Sequence, residues 1–308
     1  LQGIGEAGAK LRVFDDRNGN GRIDDGEELA IYTGDSVAAN GTFSVTLSTT
    51  LAEGSHNLCI IQTDKAGNVS TASEPLSVLI DTGAVQPLAV ALAPGQDNGL
   101  YSTDATINSV RPTFRITLAN GTLEGDVLQL MRYYSTNVAY QIGLKRVDAL
   151  DLARGWVDLT ATLSFFDYNY NGTAAAWGIF ARLTDAAGNA SAFSTTRGNL
   201  PWLTVDTTPP AAPTSLALLA QDDTGASNSD LITALHTGFT LTGTNIAADV
   251  RRIDLYDSDT FIGSAAPGSS GTFSFTYTGP ALAEGVHWIT ARAVDVAGNS
   301  SVGSNAIQ

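Results

Sequence analysis

Between Asp16 and Glu27 the sequence reads DRNGNGRIDDGE, and oxygen-bearing groups fall at a fixed spacing: Asp16, Asn18 and Asn20 at alternate positions, then Asp24 and Glu27. With Gly21 at the sharp turn and the main-chain carbonyl of Arg22 available, every defined position of a twelve-residue calcium loop is filled. Hard oxygen donors in this number suit calcium better than magnesium or zinc. The competing reading is an acidic hairpin that serves only solubility. Calcium loops of this type usually sit between helices, and none is expected here. Upstream, Ala9, Leu11 and Val13 alternate with Lys10 and Arg12, and downstream runs LAIYT, so both flanks read as strands.

Catalytic chemistry has little to work with. Of three histidines, His56 and His287 both follow LAEG at a strand start, which points to packing or surface use of a repeated position; His236 stands by itself in TALHTG. No nucleophile elbow, phosphate-binding glycine loop or zinc-type Cys/His spacing is present, so no base with an orienting partner is assembled and the chain is expected not to be an enzyme. Acidic residues could in principle cleave glycosides, but here they follow turns and segment ends. Cys59 is the single cysteine, which excludes an intrachain disulfide; it aligns with Phe180 and Thr290 of the other copies described below, so a buried or half-buried thiol is expected.

A net charge of −15 on 308 residues excludes the basic footprint that nucleic acid or an anionic membrane surface would need. Cations are the natural counterpart. No apolar run is long enough for a spanning helix, so direct membrane insertion is not expected, and LQGIGEAGAK reads as the middle of a domain, in keeping with a fragment of a longer protein. A protein without disulfides that lives outside the cell needs another source of robustness, and calcium is one.

The elements that must position these residues come in copies. TDKAGNVS (63 to 70), TDAAGNAS (184 to 191) and VDVAGNSS (294 to 301) mark domain-sized repeats, and LAEGSHNLCIIQTDKAGN answers LAEGVHWITARAVDVAGN. VLIDTGAVQP and LTVDTTPPAAP, an apolar strand ending in Asp-Thr before glycine or proline, read as short stiff linkers. Three domains follow: 1–82, with the EF-hand-like loop and without an opening strand, 83–207, a longer variant, and 208–308. Within each copy, short alternating runs such as HNLCIIQT, PTFRITLA and FTLTGT are separated by turn signals, including Asn40-Gly41, Asn120-Gly121 and Asn171-Gly172. No helical period persists beyond a turn. The expected fold is all-β: three tandem Ig-like antiparallel β-sandwiches arranged end to end as a rod.

DTTPPAAPT at a domain start, DDTGASNSDLIT soon after it and ARAVDVAGNSS at the end resemble the bacterial Ig-like repeats of giant type I-secreted adhesins and biofilm-associated proteins. LKRVDALDLARGWVDLTATL resembles the longer variant of that repeat. The resemblance covers essentially the whole chain. It implies an extracellular, monomeric segment of a cell-surface rod that carries an adhesive tip away from a bacterium, with calcium and the neighbouring repeats as partners at each joint.

It also implies ligands there. Asp64 at the last hairpin, Asp81 at the end of the last strand, and Asp97 with Asp104 at the head of the next domain are expected to converge on one joint; Asp185, Asp206, Asp223 and Asp230 are expected to do so at the next, with Asp295 part of a further one. The alternative is that these aspartates form turns. Four uncompensated carboxylates would repel, by up to a few kcal/mol per close pair at an effective dielectric of about 20, and a divalent cation would remove that cost.

The rival class is a carbohydrate- or protein-binding module, with a host or matrix glycan or protein as partner. Tyr133, Tyr134, Tyr140, Trp156, Tyr168, Tyr170 and Trp177 concentrate in the second copy, and aromatic faces stack on sugars and anchor interfaces. In strands such residues are more often core or cross-strand pairs.

Overall fold

The computed structural model describes residues 1–308 apart from 35, 134–138, 166–168, 171–172, 175 and 195–202, with backbone alone at 169–170, 173–174 and 176. The chain is all-β and Ig-like. It forms two compact units, residues 1–83 with 187–189, and residues 84–186 with 190–308.

In the first unit the strands are β1 (Gln2–Ile4), β2 (Lys10–Asp15), β3 (Glu28–Tyr32), β4 (Thr42–Ser44), β5 (Gly54–Thr63) and β6 (Leu76–Ile80). They build a sheet ordered β3-β2-β5-β6 and a pair β1-β4. The period of two in β2 turns Leu11 and Val13 inward, where they pack with Ala9, Val37 and Val45. Leu11 and Val13 are essentially fully buried, each worth about 1.5–3 kcal/mol by removal from water. Cys59 is buried in β5, and burial, ahead of the nearby Asp16, Glu74 and Asp15, pushes its thiol pKa up.

In the second unit follow β7 (Ala89–Leu92), β8 (Thr106–Ile107), β9 (Thr113–Thr117), β10 (Val127–Tyr133), β11 (Ala139–Arg146), α1 (Ala149–Arg154), β12 (Trp156–Thr160), β13 (Asn169–Tyr170), β14 (Thr173–Ala174), β15 (Ala176–Thr184) and β16 (Leu203–Val205). Then come β17 (Thr214–Leu218), β18 (Thr240–Thr244), β19 (Val250–Asp257), β20 (Thr260–Ala265), β21 (Thr272–Thr276) and β22 (Ile289–Asp295). The sheets β11-β10-β15-β16-β8 and β12-β9-β7 enclose one core, around Phe114, Leu128, Leu130 and Ile142. β17-β18-β21 and β20-β19-β22 enclose another, around Leu241, Ile253, Leu255 and Ala291.

Two details depart from the sequence reading. β16 and β8 pair in parallel, Thr204 opposite Thr106, where a purely antiparallel arrangement is expected. A six-residue helix, α1, interrupts the second copy. It is held by its ends rather than by periodicity: Asp148 and Asp151 form a reciprocal capping box, and Gly155 closes the last turn at φ 77°. Gly41 and Gly121 take the positive φ expected of their turns, and Asn171-Gly172 lies outside the described residues.

A hydrogen-bond pattern is common to the three copies. After each A-G-N turn, two serines three apart offer Oγ to main-chain amides of the preceding strand: Ser70 to Gln62 and Ser73 to Ile60, Ser191 to Leu183 and Ser194 to Ala181, Ser301 to Ala293 and Ser304 to Ala291. These hydroxyls satisfy donors where the strand has no ladder partner.

Candidate functional site

The 16–27 loop closes the β2–β3 hairpin. Phe14 is opposite Glu28, and Asp15 donates its N–H to the carbonyl of Glu27 at 2.9 Å. Asp16 and Glu27 are buried at 6% and 4% exposure. Asp16 accepts the N–H groups of Asn20 and Gly21, each at 3.0 Å, and Glu27 accepts those of Arg17 and Asp24 at 3.1 Å. Gly21 has φ 67°, the left-handed turn the loop needs at that point. Asn18 and Asn20 both donate Nδ2 to Asp24 Oδ2 at 2.7 Å, and these two bonds hold the Asp24 carboxyl below its ordinary pKa. Side chains of Asp16, Asn18, Asn20, Asp24 and Glu27 are thus gathered inside one turn by the loop's own amides. Rotation of either Asn amide would put oxygen where nitrogen now faces the interior. By type the donors suit a hard cation, namely three carboxylates, two amide oxygens and the Arg22 carbonyl, although Asp16, Asp24 and Glu27 are turned to the loop's own N–H groups and are not spaced around a common centre.

The aspartates expected at the joints are placed differently from the sequence reading. In the first unit β5 and β6 run antiparallel with Gly54 opposite Ile80, so Asp81 lies at the start of β5 while Asp64 follows its end. Ten residues at about 3.3 Å each separate them by roughly 30 Å. The same holds in the second unit: Ala176 is opposite Thr204, so Asp206 and Asp185 lie at opposite ends of β15. Asp230 is near Leu282 and His287 at the Ile289 end of β22, whereas Asp206 meets Asn299 beyond the other end. The expected grouping of Asp185, Asp206, Asp223 and Asp230 therefore does not form, nor that of Asp64 with Asp81. The physical reason is that a hairpin's turn and the end of its returning strand are at opposite ends. Among the described residues no group of three or more His, Cys, Asp or Glu side chains is spaced to hold a metal ion.

What meets at the joint inside the second unit is the loop 97–108, Asp206 and the turn Asp295–Asn299. Leu100 donates N–H to Val296 O at 2.9 Å, and Asn299 donates Nδ2 to Asp206 O at 2.9 Å. Asp295 is fully buried and spends both carboxylate oxygens on Asn299, one on the amide N–H and one on Nδ2. Asp64 and Asn68 form the same turn, which holds the Asp64 pKa low, chiefly through the Asn68 side chain. In the first unit, Asn189 likewise donates Nδ2 to Asp81 O at 2.9 Å.

The loops 97–106 and 223–232 are built alike. Asp97 Oδ2 accepts from Ala105 N and Asp104 Oδ1 from Thr106 N; Asp223 Oδ2 accepts from Leu231 N and Asp230 Oδ1 from Ile232 N. Ala105 and Leu231 share a positive φ, 56° and 62°. In each loop the remaining oxygen of the first aspartate, Asp97 Oδ1 or Asp223 Oδ1, is buried without a hydrogen-bond partner. Burial pushes the Asp97 pKa up, with a smaller push from Asp104.

The two repeated histidines share a geometry that the sequence did not suggest. His56 Nδ1 faces Asp15 Oδ2 at 2.8 Å and Nε2 faces Ala52 O at 2.9 Å; His287 faces Asp257 Oδ2 at 2.6 Å and Ala283 O at 2.9 Å. With an oxygen facing both nitrogens, each ring's surroundings favour the protonated form over the neutral one. The carbonyl and then the carboxylate raise the pKa of both. Burial pushes the Asp15 pKa up, but His56, Arg17 and the Asn57 N–H together bring it below its ordinary value. His236 Nδ1 donates to the Leu282 carbonyl at 2.8 Å.

Most described aromatics of the second copy are structural. Trp177 is buried edge-on to Phe165, Tyr133 stacks on Phe180 at 4.9 Å, and Trp156 lies under the guanidinium of Arg115 at 3.5 Å. Tyr140 is 52% exposed. Tyr134, Tyr168 and the side chain of Tyr170 lie outside the described residues.

Known proteins offer the following likenesses. No curated protein matches the chain. Two solved structures, each titled marsupial T cell receptor, are similar to it: one at 11% identity over 100% of this chain and 98% of its own, with a TM-score of 0.40. The other shows 10% identity over 95% and 90%, with a TM-score of 0.25. Residues 22–82 and 209–308, together more than half of the sequence, match the family described as bacterial Ig-like domain. Such domains are typically surface-exposed structural or binding modules rather than enzymes. The chain belongs to the bacterial Ig-like domain family.

Proposed function

We propose that the chain is a calcium-stiffened extender segment of a bacterial cell-surface adhesin, an extracellular run of repeats that supports cell adhesion and biofilm formation by holding a binding tip away from the cell. The observation that carries this reading is the 16–27 loop, whose buried Asp16 and Glu27 are pre-oriented by four main-chain N–H groups. Asp16, Asn18, Asn20, Asp24, Glu27 and the Arg22 carbonyl would hold calcium there, and the ion would fix one hairpin of a domain that has no disulfide. At the joint in the second unit, the carboxylates on the segments that meet are Asp97, Asp104, Asp206 and Asp295; the partnerless Oδ1 of Asp97 supports a cation in that region. Asp223 and Asp230 would serve the next joint, and Asp64, Asp81 and Asp185 the flanking ones, each with the neighbouring repeat.

A cation that binds only the ordered state adds RT ln(1 + [L]/Kd), about 2.7 kcal/mol at 100 times Kd. Outside the cell, where calcium is abundant, the segment would be stiff; in the cytoplasm it would be loose enough for export. Small-angle X-ray scattering in millimolar calcium and in excess chelator tests the reading. A long particle that becomes a broader ensemble on chelation supports it, and identical profiles with an unchanged melting temperature overturn it.

A further inference from the structure

The dipeptide Asn-Gly occurs six times, at Asn18, Asn20, Asn40, Asn98, Asn120 and Asn171. The main-chain nitrogen of the glycine can attack the side-chain carbonyl carbon of the asparagine, since glycine has no side chain to obstruct the approach. Two freedoms decide whether it does. The asparagine side chain must be able to swing onto its own backbone, and the glycine N–H must be open to a base in solution. Asn171 lies outside the described residues; the others can be compared.

Hydrogen bonds withdraw one or both freedoms at four of these sites. Asn18 donates Nδ2 to Asp24 and accepts the Asn20 N–H. Asn20 donates to the same carboxylate and accepts the Arg22 N–H, while Gly21 gives its own N–H to Asp16 Oδ2 at 3.0 Å. Asn98 donates Nδ2 to Asn108 Oδ1 at 2.7 Å, and Gly99 is half-buried. Asn40 accepts both the N–H and the hydroxyl of Thr42, and Gly41 gives its N–H to Ala38 O at 2.8 Å. Asn120 opens the same tripeptide, Asn-Gly-Thr, yet Thr122 turns the other way and gives its N–H and hydroxyl to Ala119 O, at 3.2 and 2.9 Å. Among the described residues neither the Asn120 side chain nor the Gly121 N–H has a hydrogen-bond partner, and both residues are exposed. Exposure alone does not set Asn120 apart, because the other four asparagines are exposed too.

We propose that Asn120 is a site of spontaneous covalent modification, the one Asn-Gly pair among those described that the fold leaves free to react. The Gly121 nitrogen loses its proton to solvent and forms a bond to Asn120 Cγ; the Cγ–Nδ2 bond breaks and ammonia leaves. Water then opens the five-membered imide at either carbonyl, giving aspartate or isoaspartate. The sum is amide plus water to carboxylate plus ammonium. The product adds negative charge to a loop that already carries Glu124 and Asp126. Isoaspartate also lengthens the main chain beside Gly121, which lies so close to Val85 that a Cβ there would be 3.2 Å from its Cγ2. The change therefore reaches the segment that leads into β7.

Peptide mapping by mass spectrometry tests it on the full chain, incubated folded at mildly alkaline pH in excess chelator, with aspartate and isoaspartate products counted at each site. Asn120 is expected to convert severalfold faster than Asn18, Asn20, Asn40 or Asn98. In guanidinium chloride, where the protecting bonds are gone, the rates of these sites should draw together. Any of those other asparagines keeping pace with Asn120 in the folded chain would overturn the proposal. So would an equal lead for Asn120 in the unfolded chain, since local sequence would then set the order. No metal takes part, so the outcome is separate from the scattering test of calcium stiffening.

Discussion

The Nδ2 of Asn299 donates at 2.9 Å to the main-chain oxygen of Asp206, 93 residues earlier in the chain. The same amide also binds Asp295 Oδ2, so one side chain both closes its own turn and ties that turn to the end of the preceding repeat. Of these two bonds, Asn68 in the first copy makes only the turn-closing one, to Asp64 Oδ2, among those described. Comparing Asn299→Ala with Asn68→Ala therefore isolates the joint. Each change should destabilise its turn, and Asn299→Ala should cost about 1 kcal/mol more, the net value of a further hydrogen bond. Hydrogen exchange at the Leu100 amide, whose acceptor Val296 O is on the docked turn, should quicken in Asn299→Ala and stay unchanged in Asn68→Ala.

In the calcium loop, Glu27 is the residue whose loss should matter most. Its two oxygens are committed to Arg17 N and Asp24 N, and position 12 is where a calcium loop places its bidentate carboxylate. Glu27→Gln keeps the size of the side chain and removes one negative charge. Titration calorimetry should show at least about tenfold weaker calcium binding, some 1.4 kcal/mol. The calcium-dependent gain in melting temperature should shrink with it, while chelated wild type and variant should melt within a few degrees of each other.

Much of this is legible in the sequence. The alternation of Leu11 and Val13 against Lys10 and Arg12 gives β2 and its buried face directly, and the A-G-N turns mark the ends of β5, β15 and β22. Asp64 and Asp81 both sit near a domain's end in sequence, which suggests that they are neighbours. Antiparallel return places Asp81 beside Gly54 instead. Helix α1 escaped because six residues are too few for a 3.6-residue period to show, although Asp148, Asp151 and Gly155 are local signals that could have found it. The Asp–His pairs were hidden by distance along the chain: Asp15 and His56 are 41 residues apart, and only pairing of β2 with β5 brings them together.

Those pairs make stability depend on pH at both ends. His56 and His287 have folded-state pKa values above the ordinary 6.5. Their contribution is complete below 6.5 and is lost as pH rises through the folded value, because a neutral ring leaves a lone pair facing an oxygen. Asp15 is lowered below 3.8, so its share is present above 3.8 and is lost as pH falls through the folded value. The melting temperature should therefore decline as pH is raised from 6.5 into the alkaline range. His56→Gln with His287→Gln should be less stable at pH 6 and should flatten that decline; an unchanged slope would show that the rings are neutral in the fold.

The paired serines give the last test. Ser301 Oγ accepts from the Ala293 amide at 2.9 Å and donates to the Val302 carbonyl at 2.7 Å, inside a site where Ala293 is fully buried and Ser301 itself is 4% exposed. Ser301→Ala removes the acceptor but leaves the buried N–H, and an orphaned donor of this kind costs about 1–3 kcal/mol. Ser304→Ala removes the acceptor of Ala291 N in a more exposed setting, where water can substitute, and should cost less. Chemical denaturation of the two variants should show that order. Equal losses would mean that water reaches the Ala293 amide, and the S-x-x-S spacing after A-G-N would then be a feature of the turn rather than a fastening of the strand.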